Sequence, residues 1–459
     1  MSSQNPWIPL PTELVLQILA CCDPRDVASL SMTNRFFWDF IYSSEDSYFW
    51  RQLLLTHYDD PQKAHRFSNT GSSSSSSRSD IDWKTQIQNR TEVEIIALSN
   101  RHWEPTEHVL ERRRALETFI FAVEDALPCS KDCARNEPSW NVIWLNRVLT
   151  ESRILQLPTL PNESQLCSRL RSYTALTHAS SSSDEPMSET NPCSRSTVRT
   201  RSRCYVYDFR RYNLENNWGP FLPDGSVNWN HVENIVNVML MNIRELPGPW
   251  MADVPPLGLE ATRAFSAPGN HREEDWAGVE GTWRRYVCFM DYRDLFEGSS
   301  AFNYSTIAGG PRNPIFFTDS RFREATRLIE VKLHLIPRDQ FHFGGYDVQT
   351  ESSPNSLYPT LYFAGSSRGL SGVEAAIEGY VRDAGDGIVR WRFFDSIQGV
   401  SHSGRMQWCS HGIQLGNVQS AMGVVGNFST TDHDEGDPVG PYWLFKVPDG
   451  YTGRLLDYV

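Results

Sequence analysis

One serine in the C-terminal half of the chain stands in a pattern that hydrolases use. Gly365-Ser366-Ser367-Arg368-Gly369 matches G-x-S-x-G, in which a sharp strand-to-helix turn presents the central serine as a nucleophile. The apolar run Leu361-Tyr362-Phe363 precedes it, and His342-Phe343-Gly344-Gly345 resembles an oxyanion-hole loop. However, that loop lies close before the serine in sequence, and Gly372 falls where the helix after the turn is needed. A hydrolase that uses Ser367 is therefore kept as an alternative.

Two further groups of side chains have metal-binding chemistry but unsuitable spacing. Cys129 and Cys133 are close in sequence but lack C-x-x-C spacing, and the chain's nine cysteines are otherwise scattered, as is typical of reduced thiols. The acidic loop of Asp432, Asp434, Glu435 and Asp437 has Gly436 where a calcium loop needs another oxygen ligand, and no closing Glu follows. The sequence predicts a solvated turn there, and neither a metal site nor a cofactor.

Three tryptophans in the C-terminal half have two possible roles. Trp283, Trp391 and Trp408 could line a pocket at the mouth of a barrel, but an aromatic residue on an alternating strand more often packs in the core. The substrate-binding residues are therefore left unknown.

Composition and charge exclude some classes of partner. The formal net charge is -13, and no stretch combines Lys and Arg with aromatic residues as a nucleic-acid-binding surface requires. The N-terminus lacks the features of a signal peptide, and no segment approaches the ~20 apolar residues needed to span a bilayer. We expect an intracellular protein, cytoplasmic or nuclear or both, that binds neither nucleic acid nor membranes.

The C-terminal region, residues 206–459, is predicted to be rich in strands. Apolar residues alternate with charged ones at Ile329, Val331, Leu333 and Leu335, and again in the run 389–393, and polar turns separate further short apolar runs. Such strands favour an antiparallel barrel or sandwich. Since the N-terminal part has helical periodicity, the predicted fold class is α+β. A helix is also expected between Val232 and Ile243, with the possibility that it caps the barrel.

Residues 56–205 are predicted to form a helical linker. Helical spacing occurs from about residue 92 to residue 126, with an interruption at Pro105, and again from about residue 142 to residue 155. Two breaks, residues 71–80 and residues 179–203, are rich in Ser and cannot bury enough apolar surface to offset the entropy of ordering them.

The first fifty-odd residues are predicted to form four short amphipathic helices. Asp23 followed by Pro24 is a strong helix start, because Asp accepts a bond from the first turn and Pro loses no bond there. Apolar pairs recur at helical spacing before and after this start. So small a unit cannot close its own core, and a helical partner is the natural way to cover the remaining apolar residues.

These residues resemble the F-box, a family whose pattern begins with Leu-Pro and x-Glu-Leu. The match spans residues 4–55 and includes the following positions: Leu10, Pro11, Glu13, Leu14, Ile18, Leu19, Asp23, Pro24, Asp26 and Trp50. The usual Val-Cys-Arg is replaced by Met32-Thr33-Asn34-Arg35. The C-terminal part is also similar to the β domain of certain fungal F-box proteins, through Gly281-Thr282-Trp283 and the run 437–443.

The F-box resemblance implies a non-catalytic substrate-recognition subunit of an SCF-type (Skp–cullin–F-box) ubiquitin ligase. The subunit would bind a Skp-type adaptor, and through it a cullin, and hold a protein target for ubiquitination and degradation. The implied adaptor-binding residues are Leu10, Pro11, Glu13, Leu14, Ile18, Leu19, Leu30, Phe37 and Trp50. The resemblance names no catalytic residue.

A small-ligand-binding barrel is the other alternative. Barrels of this size can enclose one small molecule, and its presence would then decide whether the protein or its complex is degraded.

Overall fold

A computed structural model describes residues 10–43, 47–65, 81–99, 108–130, 137–156, 159–175, 195–248, 253–269, 271–295, 301–303, 312, 314–318, 322–342, 358–397, 408–434 and 436–458. The chain divides into two compact units: 1–64, 72–127 and 138–158 form the first, and 65–71, 128–137 and 159–459 form the second. The predicted Ser-rich break 71–80 lies outside the described residues.

The first unit contains seven helices among its described residues. They are α1 Thr12–Ala20, α2 Pro24–Ser31, α3 Arg35–Tyr42, α4 Tyr48–His57, α5 Trp83–Leu98, α6 Val109–Glu124 and α7 Trp140–Glu151. The four short N-terminal helices are thus confirmed. So is the predicted helix start, because the Asp23 side chain accepts a hydrogen bond from the Arg25 N–H at 2.8 Å and Pro24 begins α2.

A buried carboxylate connects the end of α4 with the chain around α6 and α7. Asp59 is 3% exposed, and its oxygens accept hydrogen bonds from the N–H groups of Trp140 and Leu127, each at 2.8 Å, and from the Ser139 hydroxyl. The Asp59 N–H donates to Asn141. Asp59 therefore joins segments that are far apart in sequence.

The second unit combines helices with a nine-stranded antiparallel sheet. Its helices are α8 Ser164–Thr174, α9 Arg195–Val206, α10 Trp229–Glu245 and the short α11 Tyr292–Leu295. Its strands are β1 Gly281–Met290, β2 Glu324–Ile336, β3 Leu361–Arg368, β4 Glu374–Asp383, β5 Val389–Ile397, β6 Trp408–Gln414, β7 Val424–Thr430, β8 Gly440–Val447 and β9 Leu456–Tyr458.

The sheet closes into an eight-stranded barrel. Each strand from β1 to β8 pairs with the next in sequence, and β1 also pairs with β8. Strand β9 adds to the part of β2 that β3 does not cover. The α+β class and the antiparallel barrel are therefore confirmed, and the alternative of a sandwich is excluded.

Helix α10 packs on α8 and α9 and on the barrel strands β1, β7 and β8. Val232, Ile235, Met239 and Leu240 are at most 1% exposed. The predicted helix is thus confirmed, but it packs along strands rather than capping the barrel.

The predicted boundary at 205/206 does not coincide with a boundary between the units. Helices α8 and α9, which were assigned to the linker, belong to the second unit because α10 packs against both. Helix α9 begins at residue 195, inside the predicted break 179–203, and residues 179–194 lie outside the described residues. Arg203 of that helix forms a buried ion pair with Glu324 at 2.6 Å.

Prediction: replacing Asp59 with Ala should lower the free energy of unfolding of the first unit by about 3 kcal/mol, because several buried donors lose their acceptor. Chemical denaturation followed by circular dichroism would measure the change. Asp39→Ala is the matched control, since Asp39 is exposed on α3. Equal losses in both variants would contradict the role of Asp59.

Candidate functional site

The predicted adaptor-binding residues fall into exposed and buried sets. Leu10, Pro11, Glu13, Leu14 and Ile18 are exposed, and Leu30 and Phe37 are partly exposed. Leu19 and Trp50 are 5% and 7% exposed, because they pack inside the first unit. In this structure the two buried residues therefore have a packing role, and they do not line a free surface.

Helix α1 carries two apolar rows instead of one. Val15 and Leu19 face the core of the unit, whereas Leu14 and Ile18 are 45% and 54% exposed. An amphipathic helix that only packs against its own core has a single apolar stripe. The outer row, which Leu10 extends at the same spacing, is an exposed apolar surface that the unit's own folding does not require.

Inside the barrel, side chains divide into an apolar half and a polar half. At the start of β1 and the end of β2, the interior is filled by apolar side chains, including Trp283, Leu333 and Leu444, and Trp276 and Val279 before β1 pack on them. Toward the end of β5 and the start of β6, the polar side chains of Asp395 and Ser410 face inward. We call Arg285, Asp395, Ser410 and Tyr442, together with the indole N–H of Trp391 from the adjoining apolar core, the lumen cluster.

Arg285 is at the centre of the lumen cluster. Its Nη1 donates to Asp395 Oδ2 and its Nη2 donates to Ser410 Oγ, each at 2.8 Å. The guanidinium carbon lies 4.8 Å from the Phe393 ring centroid and 5.0 Å from that of Tyr442. The side chains of Arg285 and Asp395 are 5% and 11% exposed, so the Arg charge is neutralised by one buried carboxylate and held between two aromatic rings.

Four polar atoms of the lumen cluster have no hydrogen-bond partner among the described residues. They are Arg285 Nε, Asp395 Oδ1, Trp391 Nε1 and the Tyr442 hydroxyl. Burial raises the pKa of Tyr442 above its ordinary value, so the phenol stays neutral and can both donate and accept. A buried polar group without a partner is costly, and such groups are rare in folded proteins.

Gly412 makes room for the Tyr442 hydroxyl. A Cβ atom at this position would lie 2.2 Å from the hydroxyl oxygen and 2.6 Å from the Val425 carbonyl oxygen. Only glycine therefore fits opposite Tyr442 without a shift of the strand.

The unpartnered atoms define what the lumen cluster can bind. Arg285 Nε and Trp391 Nε1 are donors, Asp395 Oδ1 is an acceptor, and the Tyr442 hydroxyl can act as either. Because Asp395 already balances Arg285, a further charge would be poorly compensated. By this chemistry, a neutral group with at least one donor and one acceptor would satisfy these atoms.

The geometry does not support the hydrolase alternative. Ser367 lies within β3, paired with Val331 and Ala375, and the next element is the strand β4 instead of a helix. Ser367 alternates with Phe363 of the barrel core and so faces inward, whereas His342 binds the outward-facing Glu378 at 2.9 Å. The serine and this histidine are on opposite faces of the sheet. Gly344 and Gly345 lie outside the described residues.

The other sequence candidates have separate positions. Trp283 and Trp391 pack together in the barrel core with ring centroids 5.4 Å apart, and Trp408 is half-buried beside Phe428. Asp432 and Asp434 are exposed, and Asp437 accepts hydrogen bonds from Thr430 and the Asp434 N–H, as in a solvated turn. Glu435 and Cys133 lie outside the described residues.

Sequence reasoning missed Arg285, Asp395, Ser410 and Tyr442. A signal for two of them was present in the sequence, because a charged residue occupies a position that the alternation assigns to the interior. Arg285 stands between Trp283 and Val287, and Asp395 comes two residues after Phe393. Sequence reasoning also missed Cys409 and His411, which lie two residues apart on β6 and therefore both face outward.

Comparisons with protein-family models, with curated proteins and with solved structures found no match. Within the described part of the chain, no helix combines the length and apolar character that crossing a membrane requires.

Prediction: Tyr442→Phe should leave the free energy of unfolding of the second unit unchanged or raise it by up to about 1 kcal/mol, because a buried hydroxyl without a partner is removed. Tyr207→Phe is the matched comparison, since the Tyr207 hydroxyl donates to Glu324 and its loss should cost about 1–2 kcal/mol. Denaturant unfolding of both variants measures the difference. If Tyr442→Phe lowered the free energy of unfolding as much as Tyr207→Phe, the Tyr442 hydroxyl would have a hydrogen-bond partner after all, and this description of the lumen cluster would be wrong.

Proposed function

We propose that the chain is the substrate-recognition subunit of an SCF-type ubiquitin ligase. The exposed apolar row on α1 is the observation that carries this proposal. Leu14 and Ile18 are 45% and 54% exposed on a helix whose opposite face is already packed, and Leu10, just before the helix, is 47% exposed. Covering the exposed half of each side chain would stabilise a complex by about 1 kcal/mol, so the row can anchor a partner.

Helices α2 and α3 also carry exposed apolar side chains. Met32 is 80% exposed at the end of α2, and Trp38 is 51% exposed on α3. Together with α1 they belong to the part of the sequence that resembles the F-box. We therefore assign the exposed residues Leu10, Leu14, Ile18, Met32 and Trp38, which we call the adaptor surface, to a Skp-type adaptor, which in turn binds a cullin.

The subunit acts through proximity. It holds a target protein near the ubiquitin-carrying enzyme of the complex, which raises the effective concentration of the target's lysines without a catalytic group of its own. The target is marked for proteasomal degradation. The expected location is the cytoplasm or the nucleus, where such ligases work.

The lumen cluster favours a second, compatible function, in which the barrel binds a ligand. A neutral group of a target protein or a small molecule would satisfy the four buried atoms that lack partners. This function adds recognition to the ligase role and does not compete with it. The barrel would be the recognition module, and the adaptor surface would connect it to the ligase.

Prediction: Leu14→Ala combined with Ile18→Ala should abolish co-purification of the full chain with a co-expressed Skp-type adaptor. Two anchor truncations cost about 2–4 kcal/mol, or about 30-fold or more in Kd. Ile95→Ala combined with Leu110→Ala is the matched control, because these residues are 51% and 81% exposed on α5 and α6. Undiminished binding by the α1 variant would refute the adaptor assignment.

Prediction: Tyr442→Phe should reduce the set of targets captured by the full chain in cells in which the cullin is inhibited, while adaptor binding stays unchanged. The reason is that the substitution removes one polar atom of the lumen cluster and leaves α1 intact. Quantitative mass spectrometry of the captured proteins measures the effect, with Tyr362→Phe on the outer face of β3 as the control. An identical target set in all three proteins would exclude the lumen as the recognition site.

A further inference from the structure

Three metal-ligating side chains meet on the outside of the barrel. Cys409 and His411 are two residues apart on β6 and face outward together, and His433 comes from the connection between β7 and β8. One ligand atom of each residue lies within 4.8 Å of the others. His411 Nε2 is 3.2 Å from Cys409 Sγ. We call these three residues the Cys–His cluster.

The spacing of the Cys–His cluster is close to that of a zinc site. Zn–S and Zn–N bonds of about 2.3 and 2.0–2.1 Å in tetrahedral geometry place the sulfur and a nitrogen about 3.5 Å apart. The Cys409–His411 pair is near this separation already. A nitrogen of His433 lies within 4.8 Å of both ligand atoms, so His433 must move toward the pair to complete the site.

His433 has ring nitrogens that are available to bind a metal ion. Both of its ring nitrogens are buried and have no hydrogen-bond partner among the described residues. Its ring stacks on Trp218, with centroids 4.1 Å apart and an angle of 6° between the planes. A buried imidazole whose two nitrogens both lack partners is costly unless a ligand satisfies one of them.

The backbone around the cluster is held in an unfavourable conformation. His433, Trp218 and Asn217 have φ values of 53°, 52° and 51°, a left-handed region that non-glycine residues seldom adopt. The carbonyl oxygen of Trp218 accepts a hydrogen bond from the buried Asn427 side chain at 2.6 Å, which holds the backbone at this position. Such strain is typical of functional positions, where the surrounding structure maintains it.

Charges of both signs lie near the cluster. Arg392 lies opposite His411 in the β5–β6 register, and Asp432 and Asp437 belong to the same connection as His433. A thiolate at Cys409 and a carboxylate in the fourth position would offset the positive charge of the bound cation and of Arg392.

We propose that Cys409, His411 and His433 bind one Zn²⁺ ion, with the fourth position open to water or to a carboxylate. Mixed sulfur and nitrogen ligands select zinc over magnesium or calcium, which prefer oxygen. The ion fastens the β7–β8 connection to β6. That connection lies at the end of the barrel where β5 ends and β6 begins, which is also the end nearer to Asp395 and Ser410 of the lumen cluster. The metal would therefore stabilise this end of the barrel. The proposal does not depend on the ligase function.

Cobalt substitution of the purified full chain tests the site. After chelation and dialysis, we expect one Co²⁺ per chain, with a thiolate-to-cobalt charge-transfer band and the strong visible bands of four-coordinate cobalt, and Zn²⁺ should displace it. Cys409→Ser should abolish the charge-transfer band. His433→Asn should weaken Co²⁺ affinity by about 100-fold or more, since it removes a direct ligand. Asn also tolerates the left-handed backbone at this position, so the fold is kept.

Two control variants separate a specific site from general thiol or imidazole binding. Cys22→Ser and His334→Ala change a half-buried cysteine in the first unit and an exposed histidine on β2. Both should retain the full cobalt spectrum, and circular dichroism verifies the fold of each variant. The proposal is overturned if the wild-type chain gives no charge-transfer band, or if the band persists in Cys409→Ser.

Discussion

Closure of the barrel by the pairing of β1 with both β2 and β8 is the constraint on which the second unit depends. Closure leaves no free edge among these eight strands, and it forces every inward side chain into one small interior. The apolar half of that interior is packed as an ordinary core. The polar half contains a buried Arg285–Asp395 pair, and buried ion pairs often contribute little net stability. We therefore propose a task other than folding for this pair.

The same closure determines what the outer face can do. Where α10 covers β1, β7 and β8, the outer face is buried by apolar packing. At β6 it is covered by polar and aromatic contacts, including those of Trp218 with Asn427 and His433. The Cys–His cluster therefore lies between apolar packing of Cys409 with Phe394 and Phe341 on one side and the contacts of Trp218 with His433 on the other. The first unit differs from the barrel in this respect. Helix α1 keeps Leu14 and Ile18 exposed although Val15 and Leu19 already pack in the core of the unit.

Local patterns made most elements predictable from the sequence. The Asp23-Pro24 start, the helical spacing before Glu124 and the alternation around Val331 each reflect interactions within a few residues, so the sequence alone indicates them. Strand β6 was not predicted, because its outward residues include Cys409 and His411 and its inward residues include Ser410 and Gly412, which gives no apolar alternation. Its identity as a strand comes from pairing with β5 and β7.

The candidate sites were less predictable than the fold, since they depend on contacts between distant segments. Arg285 meets Asp395 across 110 positions of sequence, and His433 reaches β6 from another connection. Helix α9 likewise makes a contact with a distant segment, the ion pair of Arg203 with Glu324, which its own composition does not indicate. By contrast, the helical spacing of Leu14 and Ile18 lies within a single short segment and is visible in the sequence, whereas their binding to an adaptor stays a prediction.

Hydrogen–deuterium exchange of the full chain, with and without a purified Skp-type adaptor, tests the ligase role most directly. We expect slower exchange confined to residues 10–42, where α1, α2 and α3 present the adaptor surface, and unchanged exchange in the barrel strands. If the adaptor protects no part of this segment, or protects only barrel residues, the chain does not join the ligase through its N-terminal helices.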